Sequence, residues 1–186
     1  MTGASSGVGF DIAKSLAESG HRVVTMSRSI GKLSKAIGQI DGLFYFPVDI
    51  SQWDQVQDAF AEIVKEHGQV DCLVNNAAQF YLGRFFDQNI QSINSLIDTN
   101  VKGTIYCTRA VLGDMLRIRS GRIINILSVS GLHGIEDQAV YSSSKYAISG
   151  FMDSLAQEIK EYGIYITNLY PGGINTELWR KIDESY

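Results

Sequence analysis

Tyr141 and Lys145 stand four residues apart in the stretch YSSSK. On a helix that interval stacks both side chains on one face, close enough to meet near a single substrate. What such a pair could do is move a proton. A phenol is a poor acid or base near neutrality, because its ordinary pKa is about 10. A neighbouring ammonium favours the phenolate and draws that value toward the working pH. A tyrosine and a lysine one turn apart are also an ordinary amphipathic pair, so their meaning depends on what else the chain carries.

A second chemical signal lies at the head of the chain, in TGASSGVG. Gly3, Gly7 and Gly9 let a backbone turn sharply and approach a pyrophosphate, whose charge then meets free N–H groups at a helix N-terminus. Ser5, Ser6 and Val8 complete that loop. About twenty residues further on, an NAD site would place a carboxylate against the ribose 2′-hydroxyl. Here the run RVVTMS ends in Ser27 and Arg28, with no Asp or Glu anywhere over 22–33. A carboxylate would repel a 2′-phosphate, whereas the planar fork of Arg28 can pair with it. NADP(H) is therefore expected over NAD(H), the alternative being that Arg28 is a solvated loop cation.

The elements that must position these groups are legible as alternating runs. RVVTMS, LFYFPV, CLVNN, RIINIL and YITNLY are β-branched and aromatic, and each is separated from the next by enough chain for a helix. That alternation predicts a parallel sheet with helices on both faces, and the lack of strict apolar–polar alternation fits strands covered on both sides. Val8, Ile12, Ala13, Leu16 and Ala17 recur at helical spacing until Gly20. SQWD places Ser51 as an N-cap with an acid three residues on, opening a helix that carries Val56, Phe60, Ile63 and Val64. Two longer helices are expected over about 92–116 and 141–162. No repeat or linker interrupts the chain, so residues 1–186 form one expected domain.

Five motifs now stand in order: TGASSGVG, NNAA, LSVSG, YSSSK and YPGGINT. Together they resemble the short-chain dehydrogenase/reductase family over nearly the whole chain, with Ala78 standing where that family most often has glycine. The resemblance implies a Rossmann-like, doubly wound α/β fold and hydride transfer between a carbonyl and a secondary alcohol. It implies Tyr141 as general acid/base, Lys145 beside it and on the nicotinamide ribose, and Ser128, thirteen positions before Tyr141, hydrogen-bonding the reacting oxygen. Ser130 competes for that role from two residues further on. Asn100, in DTNVKG, matches the position that holds a water between the lysine and solvent.

The same resemblance assigns the cofactor bed. Asp49 and Ile50 would meet the adenine, although Asp49 could instead cap the helix near Ser51. Asn75 or Asn76, with Ala77 and Ala78, would wall the ribose, while Pro171, Gly172, Ile174 and Thr176 hold the nicotinamide. A strand is expected ahead of the glycine loop and a substrate lid and edge strand after Tyr186, so the chain is expected to be a trimmed piece of a longer polypeptide. Assembly as a homodimer or homotetramer through the two long helices is implied as well. A catalytically silent dinucleotide sensor on the same fold is the alternative function; sugar-nucleotide epimerases share the Tyr and Lys but have longer chains and different glycine spacing.

Composition excludes other classes. A chain that is 45% hydrophobic with formal charge -4 can bury a core but lacks the clustered cations a nucleic-acid groove needs. Arg117, Arg119 and Arg122 read as a solvated helix end. Cys72 and Cys107, in apolar and helical runs without a CxxC, read as buried thiols, and no His pair has metal-ligand spacing. His133, in SGLHG, is a candidate at the substrate mouth. The absence of a secretory leader or membrane-length apolar run predicts a cytoplasmic protein.

Overall fold

The structure, a computed structural model, describes residues 1–31 and 33–174. Its strands are the five expected runs, each within a residue of its expected ends: β1 Val23–Ser27, β2 Leu43–Pro47, β3 Cys72–Asn75, β4 Gly121–Ile126 and β5 Ile164–Leu169. All pair in parallel. β1 lies against β2 with Val23 opposite Leu43, while β3, β4 and β5 run side by side with Leu73 opposite Ile123 and Ile123 opposite Ile166. In β3, Leu73, Val74 and Asn75 are buried in succession; since successive side chains point to opposite faces, both faces are covered there. β5 alternates between buried or half-buried and exposed positions, with Tyr165 and Leu169 open to solvent.

Residues 1–3 run between the two groups of strands. The Thr2 amide donates to the Val74 carbonyl at 3.0 Å, the Gly3 amide to that of Met26 at 2.8 Å, and the Met26 amide to that of Met1 at 2.8 Å. Thr2 thus pairs in parallel with Met26, and the strand order reads β2, β1, residues 1–3, β3, β4, β5. Backbone groups at the inner edges of β1 and β3 find partners there, which is what the middle of a sheet requires.

The helices are α1 Gly7–Glu18, α2 Leu33–Ala36, α3 Trp53–His67, α4 Ile90–Ile97, α5 Thr104–Ile118 and α6 Ala139–Ile159. One cluster of buried side chains joins α3, α5 and α6 to β3 and β4 through Phe60, Ile63, Val111, Met115, Met152, Leu73 and Ile123; a smaller one joins α1 and α2 to β1 and β2 through Ala13, Ala17, Leu33, Val23 and Leu43. No helix among the described residues is long and apolar enough to cross a membrane.

Three expectations need correction. The Ser51 hydroxyl does not cap α3; it donates to the Asp49 carboxylate at 2.7 Å, and the helix starts at Trp53 without a side-chain cap. The helix expected over 92–116 is interrupted: a π-helical turn, Asp98–Gly103, separates α4 from α5. Periodicity cannot distinguish a 3.6-residue turn from one locally widened turn. Cys72 is exposed, because it opens β3 at the rim of the sheet, where an apolar neighbourhood in sequence does not mean cover.

Candidate active site

A cleft of about 480 Å³ opens at the carboxyl ends of the strands, beside residues 1–3. That is where open parallel sheets bind ligands. Its first wall is the glycine loop. Gly3 has φ +68°, and a Cβ there would meet the Ala77 backbone at 2.5 Å, so no other residue type fits without displacing β3's exit. A Cβ on Gly9 would strike the Gly3 carbonyl and the Asn76 amide. The loop is held down by Asn76, whose Nδ2 donates to the carbonyls of Gly3 at 2.8 Å and Thr2 at 3.2 Å. Thr2 Oγ1 accepts in return from the amides of Asn76 and Ala77, both at 3.1 Å.

Ser5, Ser6, Gly7 and Val8 line the cleft at the start of α1. The N-cap residue Ser6 makes no side-chain cap, and the first turn holds no carboxylate. The positive pole of α1 is therefore turned toward the cleft without an internal anion to satisfy it. Together, the bare loop and uncapped helix fit a dinucleotide pyrophosphate. At the far end Ser27, Arg28, Asp49 and Ile50 also line the cleft. Asp49 Oδ1 is already engaged by the Ser51 amide at 3.0 Å as well as its hydroxyl, so Asp49 braces the entry to α3.

The opposite wall carries the candidate chemistry. Ser128 follows β4, and Tyr141 and Lys145 project from the first two turns of α6; all three line the cleft. Lys145 is 5% exposed, its Nζ donates to the Ile126 carbonyl at 3.1 Å, and it stands 5.6 Å from the centroid of the Tyr141 ring. The ring of Phe80 meets Tyr141 edge-on, with centroids 4.7 Å apart. Burial pulls Lys145 down to about 8 from its ordinary 10.5, because a desolvated ammonium is costly.

The expected depression of the phenol by the lysine is not what this geometry gives. Burial raises the Tyr141 pKa, and the opposing influence is its hydrogen bond with Ser128. The ammonium lies 5.6 Å from the ring centroid and gives one of its three protons to the Ile126 carbonyl.

Asn100 is buried and does not line the cleft. Its amide clamps the Gln79 backbone, accepting from the amide at 2.7 Å and donating to the carbonyl at 2.9 Å, and also donates to Ser144 Oγ at 3.1 Å. Residue 79 lies beyond β3, without a strand to pair it, and Asn100 supplies the missing partners. Asn75 likewise turns away from the ribose wall: its Nδ2 donates to Asn125 Oδ1 at 2.9 Å and to Thr108 Oγ1 at 3.3 Å inside the sheet. Asn76, Ala77 and Ala78 do line the cleft, as do Pro171, Gly172 and Ile174. Thr176 lies outside the described residues. His133 is exposed and is not among the residues that line the cleft.

Sequence reasoning missed Gln79, Phe80, Thr99, Ile135 and Gln138, all of which line it. Gln138 alone had a usable signal, standing one turn before Tyr141.

The family model for short chain dehydrogenases matches residues 1–186. The chain is 32% identical to an uncharacterized oxidoreductase of Staphylococcus epidermidis, over 98% of its own length and 80% of that protein. Among solved structures, it superposes with a TM-score of 0.93 and 31% identity on a variant of actinorhodin polyketide ketoreductase with NADPH, covering 100% of this chain and 73% of that one. A short-chain dehydrogenase from Streptomyces avermitilis gives a TM-score of 0.90 at 30% identity, with 95% of this chain covered but 65% of that one. The chain thus spans about two thirds to four fifths of these relatives. It belongs to the short-chain dehydrogenase family of oxidoreductases, whose members use nicotinamide dinucleotides.

Proposed function

We propose that the protein interconverts a carbonyl and a secondary alcohol with NADP(H), using Tyr141 as general acid and base. The observation that carries this reading is that Ser128, Tyr141 and Lys145 line the same cleft as the glycine loop and the uncapped start of α1. Bound nicotinamide would supply hydride to the carbonyl carbon, or take it from the carbinol. Gly3, Gly7, Gly9 and the first turn of α1 would hold the pyrophosphate, and residues 171–174 the nicotinamide end. Arg28, in a stretch that holds no Asp or Glu over 22–33, supports the 2′-phosphorylated dinucleotide, and the NADPH of the polyketide ketoreductase it resembles points the same way.

In reduction, the neutral phenol of Tyr141 gives its proton to the developing alkoxide. Burial keeps that phenol protonated near neutrality, the form the step begins from. Ser128 donates a second hydrogen bond to the same oxygen, where charge grows. Lys145 restores the proton balance and braces the phenol ring, its lowered pKa leaving it able to exchange a proton near the working pH. Asn100 is a positioning residue, which holds the Gln79 wall against α6.

Self-association suits the outer faces of α5 and α6, which share an apolar groove lined by Tyr106, Leu112, Phe151 and Leu155. The decisive experiment follows NADPH absorbance across ketones, aldehydes and quinones. Tyr141→Phe should lower turnover by about 10²-fold or more while NADPH still binds; a variant that keeps substantial turnover refutes the assignment.

A further inference from the structure

At the end of the cleft that holds Tyr141, the polar side chains are taken up by one another. Gln79 Oε1 accepts from the Ser95 hydroxyl at 3.0 Å, while its Nε2 donates to Thr99 Oγ1 at 3.1 Å. Gln138 Oε1 accepts from the Ser130 hydroxyl at 2.9 Å. Lys145 gives a proton to the Ile126 carbonyl. A hydroxylated substituent entering here would give up its water to groups that already have partners, which is costly.

What the same region offers instead is Phe80 and Ile135, both half-buried and both lining the cleft. Phe80 is carried by a segment fixed at two points. On one side, Asn100 holds the Gln79 amide at 2.7 Å and the Gln79 carbonyl at 2.9 Å. On the other, the Gly83 amide donates to the Asp137 carbonyl at 2.9 Å, which ties the chain after β3 to the loop before α6. The Phe80 ring stands edge-on to Tyr141 with centroids 4.7 Å apart. An aromatic wall is thus already in place beside the phenol, and a ligand that packs on it pays little for ordering the protein.

We propose that Phe80, with Ile135, is a specificity-determining residue that selects carbonyl compounds carrying a bulky apolar group, a flat ring above all, over small hydroxylated ones. With the carbonyl oxygen at Tyr141, the larger substituent on the carbonyl carbon falls beside the Phe80 ring. There the burial of its apolar surface and edge-on or offset ring packing both favour it. This rests on the reading of Tyr141 as the residue that meets the reacting oxygen.

Acetophenone and hydroxyacetone test it, two methyl ketones that share the reacting group and differ in the second substituent. Their dissociation constants are measured by NMR titration on the NADPH complex of Tyr141→Phe, which keeps a ring next to Phe80 and lets affinity be read without turnover. Acetophenone should bind about 10-fold tighter or more. Adding Phe80→Ala should weaken acetophenone by about 10-fold and leave hydroxyacetone within about 2-fold, the scale of one lost ring contact and its buried area. Phe80→Leu keeps apolar bulk, guards against misfolding of the alanine variant, and should weaken acetophenone by about 3-fold. An affinity for acetophenone no greater than that for hydroxyacetone, or losses of equal size for the two ketones, overturns the proposal. Failure of the parent reading is seen separately, as a fall in NADPH absorbance when Tyr141→Phe is mixed with either ketone.

Discussion

Lys145 carries its charge at a cost that can be measured. Burial places its pKa at about 8 against an ordinary 10.5, so the folded protein holds this proton less tightly than the unfolded chain does. The cost is present in full below about pH 8 and disappears as pH rises toward 10.5, where both states are neutral. A displacement of this size corresponds to about 3 kcal/mol. Lys145→Met removes it but strands the Ile126 carbonyl, worth about 1 kcal/mol. Urea unfolding at pH 7 should therefore show the variant about 2 kcal/mol more stable and catalytically dead, with an advantage that shrinks through the 8 to 10.5 window; an advantage independent of pH would contradict the account. At the other end of the cleft, Arg28→Ala should weaken NADPH by about 10- to 100-fold, as expected for a lost charge-assisted bond, and leave NADH nearly unchanged. Fluorescence titration of both cofactors checks this, and equal weakening of the two would remove Arg28 from the 2′-phosphate.

The elements are tied together by polar side chains as well as by apolar packing. Asn75, Asn125 and Asn168 stand opposite one another on β3, β4 and β5, and their amides bond in series, each at 2.9 Å. The series continues into α5, where Thr108 receives Asn75 and Thr104 reaches the Asn100 carbonyl at 2.9 Å in the π-helical turn. This chain explains why a buried strand spends positions on asparagine: the amides register three strands and anchor the segment carrying Asn100. Asn125→Leu, at a fully buried position, leaves two neighbouring amides short of partners. At about 1–3 kcal/mol each, the unfolding free energy should fall by roughly 2–6 kcal/mol, and a loss under about 1 kcal/mol would show that the series is incidental. The strand runs themselves were readable because β-branched residues cluster in them. The π-turn was not, since widening one turn leaves the apolar spacing on either side intact.

Across the whole molecule, the cleft lies over the join between the β1–β2 pair and the β3–β4–β5 group, which residues 1–3 bridge. A dinucleotide spanning from Arg28 to residues 171–174 would touch both groups, so binding should stabilise them as one unit. NADPH at a hundredfold excess over its dissociation constant should add about 2.7 kcal/mol. Hydrogen exchange should slow in β1 and in β4 together; protection confined to one group would argue against a ligand laid across the join.

Chemistry that depends on short intervals along the chain was determined by residue order alone: the glycines that permit a tight loop, the helical interval from Tyr141 to Lys145, and the five strands. Such features are local, because backbone sterics and helical pitch act over a few residues. Tertiary structure alone decided that Asn75 and Asn100 face inward, that the Lys145 ammonium lies near the Tyr141 ring and bonds the Ile126 carbonyl, and that Gln138 bonds Ser130 beside Ser128. Each of those depends on partners many positions away, brought within hydrogen-bonding distance by the packing of the sheet, and buried polar groups turn toward whichever partner satisfies them.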